Sequence, residues 1–436
     1  MTRFLKASIS LSMRYASNLG LDVELLDYII YMKPLVFAVL LVQQCLADSF
    51  ADRADREFDN FKKKLNVQYT PSEEDYRRQV FHDNFKWIEE QNARGDLKYV
   101  LGVTRFTDRT DEEFANSRTA AGLRGSVEDL SGYLRSFGVP LVRSSVQSVD
   151  KPPPASKNWA DEGVVGIIKD QGLCGSCASF ATTGTLESHY ALAMHQTNSS
   201  IVPLSEQQLL DCDPTAACDG GLPSGTFTYI KGNGLTSETV YPYEARNSAT
   251  FSQPCKRDLL TTNNLVVQPG VVTGYTQINT GDYDSLLSAV GLLGPVATMI
   301  DGTTPAFKNY QSGVITGPCG TSTLHIVVIV GYGETSDGIK YWLIKNSWGT
   351  GWGDKGYAKV ERGTGGVGMC GIKTLSWYPH VNVSSAVTTA APTTNPPTNN
   401  PPTVAPRSAA AVGSFTSQFS WGLLALAATI IISIRP

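Results

Sequence analysis

Positive charge is in short supply. The 436 residues carry 36 Lys and Arg against 40 Asp and Glu, a net charge of −4. There is no basic stripe, which removes nucleic acid from the expected partners. Near the N-terminus the apolar run over 34–42 is too short to cross a bilayer. One Gly-x-Gly-x-x-Gly match, Gly363 to Gly368, lies between strand-like segments and opens no helix. A dinucleotide site is therefore not expected, and the stretch reads as a hairpin loop. Histidine is scarce, at five residues. His82, His189, His195 and His380 stand in no motif and read as surface or packing residues. No metal site and no cofactor are expected.

What is present centres on Gln171-Gly172-Leu173-Cys174-Gly175-Ser176-Cys177. This stretch runs into a segment that reads as a helix to His195, with Phe180, Leu186, Tyr190, Ala191 and Met194 at roughly helical spacing. Ser176 is expected to cap that helix, leaving Cys177 in its first turn. There the unpaired N–H groups and the positive end of the helix dipole favour a thiolate. By itself Cys-x-x-Cys also fits a redox pair, half a zinc site or two structural cysteines.

Downstream, His325 opens an apolar strand running to Gly333, and Asn346 stands in Lys345-Asn346-Ser347-Trp348-Gly349-Thr350-Gly351-Trp352-Gly353. From Cys177 to His325 is 148 residues and from Cys177 to Asn346 is 169. With these residues in view the chain resembles the papain family, close to its cathepsin L-like branch. The first separation lies within the roughly 130–150 residues associated with such enzymes, and the second lies outside it.

The length calls for more than one unit, and 42% hydrophobic with 17% charged residues indicates a globular protein. From 160 to 379 the first half reads helical. Ser205 with Gln208 forms a capping box, and a short helix over Pro223–Lys231 is closed by Gly232. The second half reads as strands at Val296–Ile300, Gly313–Thr316, His325–Val330, Tyr341–Lys345 and Gly356–Glu361. The expected fold is α+β: a helical subdomain bearing Cys177 faces a β-barrel-like one bearing His325 across a cleft. The resemblance assigns Cys177 as nucleophile, His325 as proton shuttle, and Asn346 as the residue fixing the imidazole. It places the Gln171 side chain with the Cys177 N–H in the oxyanion hole, and Trp348 over the His–Asn contact. Substrate would lie along Gly220, Gly221, Leu222, Pro223, Met299, Ile326, Leu375 and Trp348, with an apolar pocket made shallow by Ile326. Two residues depart from the family pattern: Ala178 where Trp is usual, and Leu324 where Asp or Asn is usual. Neither removes a catalytic atom.

Eight cysteines divide into Cys45 in a leader, Cys177, and six others that allow fifteen pairings. The resemblance implies Cys174–Cys218, Cys212–Cys255 and Cys319–Cys370, hence an oxidising compartment. Residues 1–47 are expected to be an N-terminal extension and signal peptide, with translation starting at Met32; an uncleaved anchor is the alternative. Residues 48–150 carry Glu73, Arg77, Val80, Phe81, Asn84, Ile88 and Asn92 at helical spacings, followed by Gly102-Val103-Thr104-Arg105-Phe106-Thr107-Asp108. These resemble the family's inhibitory propeptide, except that Thr104 replaces the usual Asn.

The peptidase domain is expected over 151–380 and a Thr/Pro/Asn-rich stalk over 381–414. The hydrophobic tail over 415–436 reads as a lipid-anchor signal, with a spanning helix or removal with the stalk as alternatives. Asn198 and Asn382 are glycosylation acceptors.

The whole reads as a monomeric cysteine endopeptidase zymogen acting on polypeptides, inhibited by its own propeptide. It would be lysosomal, endosomal or extracellular within the secretory pathway, with membrane attachment through the tail. The rivals are an inactive papain-fold binding protein and a thiol oxidoreductase using Cys174 and Cys177. The short Cys218-Asp219-Gly220-Gly221-Leu222 passage leaves no room for the occluding loop of an exopeptidase.

Overall fold

The computed structural model describes residues 50–118 and 151–384, apart from 249 and 252. The leader, the connector over 119–150 and the hydrophobic tail lie outside the described residues, so the expectations placed on them are not addressed by the fold.

The N-terminal region is helical. Helix α1 covers 50–65 and helix α2 spans Pro71–Ala93. Pro71 opens α2 with its φ already set, and Glu73 and Glu74 sit at the favourable end of the dipole. Phe58, Phe61 and Phe81 bury themselves between α1 and α2. The polar face of α2 holds the segment that follows it. Asn84 donates to the carbonyls of Thr107 and Arg109, both at 2.8 Å, and Asn92 exchanges bonds with the Leu101 backbone. Arg77 reaches Glu113 at 2.8 Å. Strand β1 (Tyr99–Leu101) and helix α3 (Asp111–Arg118) complete this region.

After β2 (Lys157–Asn158) come the main helices: α4 (Cys177–Met194), α5 (Glu206–Cys212) and, past the small ladder β3 (Ala216–Ala217) with β4 (Gly220–Gly221), α6 (Pro223–Asn233). Helix α4 is buried on almost every side. Several of its hydroxyls bond back to the helix or to a neighbour: Thr182 donates to the Ala178 carbonyl and Ser188 to Gly184, while Thr183 lies against the Phe180 carbonyl and the Glu206 carboxylate. A second small ladder joins β5 (Leu235–Thr236) to β6 (Leu265–Val267).

The remaining elements are β7 (Val272–Ile278), α7 (Tyr283–Ser288), β8 (Val296–Ile300), α8 (Pro305–Lys308), β9 (Tyr310–Ile315), β10 (His325–Glu334), β11 (Lys340–Lys345), β12 (Tyr357–Glu361) and β13 (Ser376–Val381). The large sheet runs β1-β9-β12-β11-β10-β8-β13-β7, with β2 beside β10. Its pairs are antiparallel except β12 with β9. Strand β1 of the N-terminal region extends the sheet, with Tyr99 opposite Gly313. Gly313 has φ +87°, and a Cβ there would come within 2.5 Å of the Lys98 carbonyl, so only glycine lets the two backbones approach.

The structure corrects several local expectations. Ser176 stands at the N-cap of α4, but its hydroxyl pairs with Tyr243 at 2.8 Å and caps nothing. Ser205 Oγ does accept the Gln208 N–H at 3.0 Å, yet the Gln208 amide turns to Gly234 and Thr236, so the reciprocal half of the capping box is missing. Helix α6 runs two residues beyond Lys231 and is closed by Gly234. The Gly363–Gly368 stretch is not a hairpin: it leaves β12 and leads to β13, which pairs with β7 and β8 instead. Strands β7 and β13 have no counterpart among the expected strands.

Candidate active site

The approach to α4 is set by a tight turn. Gly172 has φ +64°, and a Cβ there would lie 2.0 Å from the Arg246 carbonyl. Leu173 N–H donates to that carbonyl, and Gly175 N–H to the Cys218 carbonyl. The Cys174–Cys218 disulfide fastens the same turn. Cys177 is thus the first residue of α4, buried, and outside the three disulfides. The other bridges join Cys212 to Cys255 and Cys319 to Cys370, the pairs the resemblance implies.

Gln171 is clasped from several sides. Its amide donates to the Cys174 carbonyl at 3.0 Å, and its Oε1 accepts the Ser347 hydroxyl at 2.7 Å. Its backbone N–H donates to the Ser347 carbonyl at 2.9 Å. Its backbone carbonyl accepts the Tyr243 hydroxyl at 2.8 Å, the same hydroxyl that meets Ser176. These bonds tie the loop before α4 to the segment after β11.

His325 opens β10 opposite Ile300 of β8 and is fully buried. Its Nε2 donates to Asn346 Oδ1 at 2.8 Å. An amide oxygen only accepts, so the shared proton sits on Nε2. The Ser347 N–H, at 2.8 Å, holds the same oxygen in place. Trp348, also fully buried, stacks on the imidazole with ring centroids 4.6 Å apart, and Phe307 meets the ring edge-on. The N-terminal region supplies the next layer: Phe106 and Phe114 both pack edge-on against Trp348.

Met299, Ile326 and Leu375 come together because their strands adjoin. Ile326 is opposite Met299, and Met299 N–H donates to the Leu375 carbonyl. All three share one buried cluster with Cys177, Ala178 and Leu222, and Pro223 opens the neighbouring helix. Gly220 and Gly221 form β4. A Cβ on Gly221 would lie 3.7 Å from the Ala178 side chain, so the glycine strand closes over the small residue that departs from the family pattern. The β3–β4 ladder pairs Ala217 with Gly220, leaving only Cys218 and Asp219 at its turn. Among the described residues no cluster of ligand side chains could hold a metal ion.

Behind the cleft, Lys169 bridges Glu187 at 2.8 Å and Glu206 at 2.7 Å, and Lys345 donates to the Gly166 carbonyl at 2.9 Å. Two lysines and two glutamates are thus gathered in the interior. Burial pushes Glu206 up to about 7 and Lys345 down to about 8.

Residue types alone did not reveal Ser347, Tyr243 or Phe307. Ser347 had the clearest signal, since it stands between Asn346 and Trp348. The Thr104 departure is also resolved: its hydroxyl donates to the Lys308 carbonyl at 3.0 Å.

Residues 153–380 match the family described as papain family cysteine protease, and residues 58–114 match the cathepsin propeptide inhibitor domain. The chain is 41% identical to pro-cathepsin H of Medicago truncatula, across 74% of this chain and 85% of that protein. It is 39% identical to the thiol protease aleurain of Arabidopsis thaliana, across 74% and 84%. Among solved structures, the proform of the ragweed pollen allergen Amb a 11 aligns at 34% identity and a TM-score of 0.63, covering 76% of this chain and 95% of that one. Digestive procathepsin L 3 of Tenebrio molitor aligns at 35% and 0.63, covering 75% and 99%.

Proposed function

The chain belongs to the papain family of cysteine proteases and carries a cathepsin-type propeptide inhibitor domain, and we propose that it is an endopeptidase in which Cys177, His325, Asn346 and Gln171 perform the chemistry. As a member of that family it is a cysteine-type peptidase made as a zymogen. The observation that carries the site assignment is the His325–Asn346 bond, made under Trp348 and beside the Ser347–Gln171 clasp.

In the proposed mechanism the Cys177 thiol gives its proton to His325 Nδ1, a transfer the helix N-terminus favours, and the resulting thiolate attacks the scissile carbonyl. Asn346 holds Nε2, leaving Nδ1 as the nitrogen that gives its proton to the departing amine. The C–N bond breaks and a thioester remains. His325 then takes a proton from water, which attacks the thioester and releases the acid and the thiol. The Gln171 amide and the Cys177 N–H would hold the developing oxyanion, worth about 3 kcal/mol per donor. Ser347 fixes which end of the Gln171 amide carries the donors.

The pocket formed by Leu222, Pro223, Met299, Ile326 and Leu375 would receive the second substrate residue upstream of the cut. The two-residue turn after β3 supports endopeptidase over exopeptidase action. Residues 48–150 would act as the inhibitory propeptide and 151–380 as the peptidase. Three disulfides support a secretory or lysosomal setting. Asn198 and Asn382 are exposed, which suits their use as glycosylation acceptors.

Alkylation with an epoxide specific for cysteine proteases, followed by peptide mapping, tests the assignment. Label on Cys177 in active enzyme supports it; label elsewhere, or none, rejects it.

A further inference from the structure

Lys308 belongs to the peptidase region, yet its ammonium is fully buried and three of its contacts reach into the propeptide. It donates to Asn84 Oδ1 at 3.1 Å, to the Arg109 carbonyl at 3.2 Å and to Asp111 Oδ1 at 2.5 Å. The neighbouring backbone is engaged as well. The Lys308 carbonyl accepts the Thr104 hydroxyl, and the Asn309 carbonyl accepts the Gly102 N–H at 2.8 Å. Burial pushes the Lys308 ammonium below the usual lysine range in spite of Asp111. An ammonium covered in this way is costly unless the covering segment supplies its acceptors and counter-charge.

A second ion pair crosses the same interface with the polarity reversed. Propeptide Arg105 pairs with Asp170, which is largely buried and also meets Arg246 at 3.2 Å. Asp170 directly precedes Gln171, and Lys308 directly follows Phe307, the residue packed on His325 and Trp348. The two pairs therefore flank the catalytic machinery.

We propose that these crossed pairs, Lys308 with Asp111 and Asp170 with Arg105, are the specificity determinants by which the peptidase recognises its own propeptide and keeps the cleft closed. A propeptide lacking the acidic residue at 111 would leave the ammonium bonded to neutral acceptors alone, with the Asp108 and Glu113 carboxylates acting on it only from a distance. One with a basic residue there would set like charges together. Complementary charge of this kind selects partners more than it adds bulk affinity. The inference rests on the reading of Cys177 as the nucleophile.

The test uses the full-length zymogen at neutral pH, with mass spectrometry confirming that the chain stays uncleaved. The measured quantity is the rate at which the epoxide alkylates Cys177. Asp111→Asn, whose side chain is half-exposed, and Lys308→Gln should each be labelled at least tenfold faster than the unaltered zymogen. The exchange Asp111→Lys with Lys308→Asp should return labelling to within threefold of the unaltered rate. Arg105→Gln should also accelerate labelling. The inference is overturned if Asp111→Asn labels within twofold of the unaltered zymogen, or if the exchange is as fast as the single variants. If Lys308→Gln does not fold, the Asp111→Asn zymogen still decides the matter, because its change lies in the propeptide. Failure of the mature, unaltered enzyme to label at Cys177 would instead reject the nucleophile assignment.

Discussion

Ser347 Oγ donates to Gln171 Oε1 over 2.7 Å, joining two residues 176 positions apart. One end of that bond belongs to the loop before the Cys177 helix and the other to the segment that carries Asn346. The clasp therefore ties the Gln171 amide, the proposed oxyanion donor, to the segment that holds the imidazole in a single contact. Ser347→Ala should lower kcat about fivefold, the effect of one hydrogen bond of ~1 kcal/mol, and leave KM within about twofold. Steady-state kinetics on a fluorogenic peptide measures both. An unchanged kcat would mean that the clasp does not orient Gln171.

Replacing the proposed nucleophile is a harsher test. Cys177→Ser should reduce peptidase activity by at least about a thousandfold while the zymogen still folds, since serine keeps the size of the side chain but not its acidity. Circular dichroism reports the fold and a peptide substrate the activity. Substantial turnover by this variant would end the Cys177 assignment.

Specificity should follow the pocket. Leu222, Met299, Ile326 and Leu375 are apolar and buried, and an unpaired charge there would cost several kcal/mol. A dipeptide library should rank Leu and Val above Phe, with Arg poor, at the second residue upstream of the cut. The preferences should be graded, within about 10–200-fold. Ile326→Ala should raise the rate with Phe. If Arg equals Leu the pocket is misplaced, and if Ile326→Ala leaves the Phe rate unmoved the depth reasoning fails.

Stability should fall on acidification, in part through His189. Its Nε2 donates to the Pro295 carbonyl at 2.8 Å, and burial pushes its pKa down to about 4. The unfolded chain takes up this proton near pH 6.5 and the folded one only near 4. Between those values the unfolded state binds more protons, so stability declines as pH falls through the window and levels off below it. The full cost is about 3 kcal/mol. His189→Gln should flatten the stability profile between pH 6.5 and 4, as read by urea unfolding at a series of pH values. A profile as steep as that of the unaltered protein would show that His189 does not contribute to it.

The hydrophobic tail over 415–436 offers a test on cells. If it is a lipid-anchor signal, phospholipase should release the protein, and no peptide spanning 415–434 should be found in the mature chain. Recovery of that peptide would exclude the anchor.

Much of this protein was legible in the chain itself, because local chemistry leaves local marks. Cys177 at a helix start, His325 at the head of an apolar strand and the Asn346–Trp348 run each identify themselves by their neighbours. The polar face of helix α2 does so through its spacing. The capping hydroxyl of Ser176 and the supposed hairpin at 363–368 were misread because each was decided by a distant partner: Tyr243 for the hydroxyl, and β7 and β8 for the strand that follows the glycines.

Only the tertiary structure could join Ser347 to Gln171, stack Trp348 on His325, or bury Lys308 beneath Asn84, Arg109 and Asp111. A lone lysine in a short helix carries no pattern, and the backbone around it reads the same whether it faces water or a propeptide. Its role arises from desolvation and from acceptors some 200 residues away, quantities that exist only once the two regions have packed together.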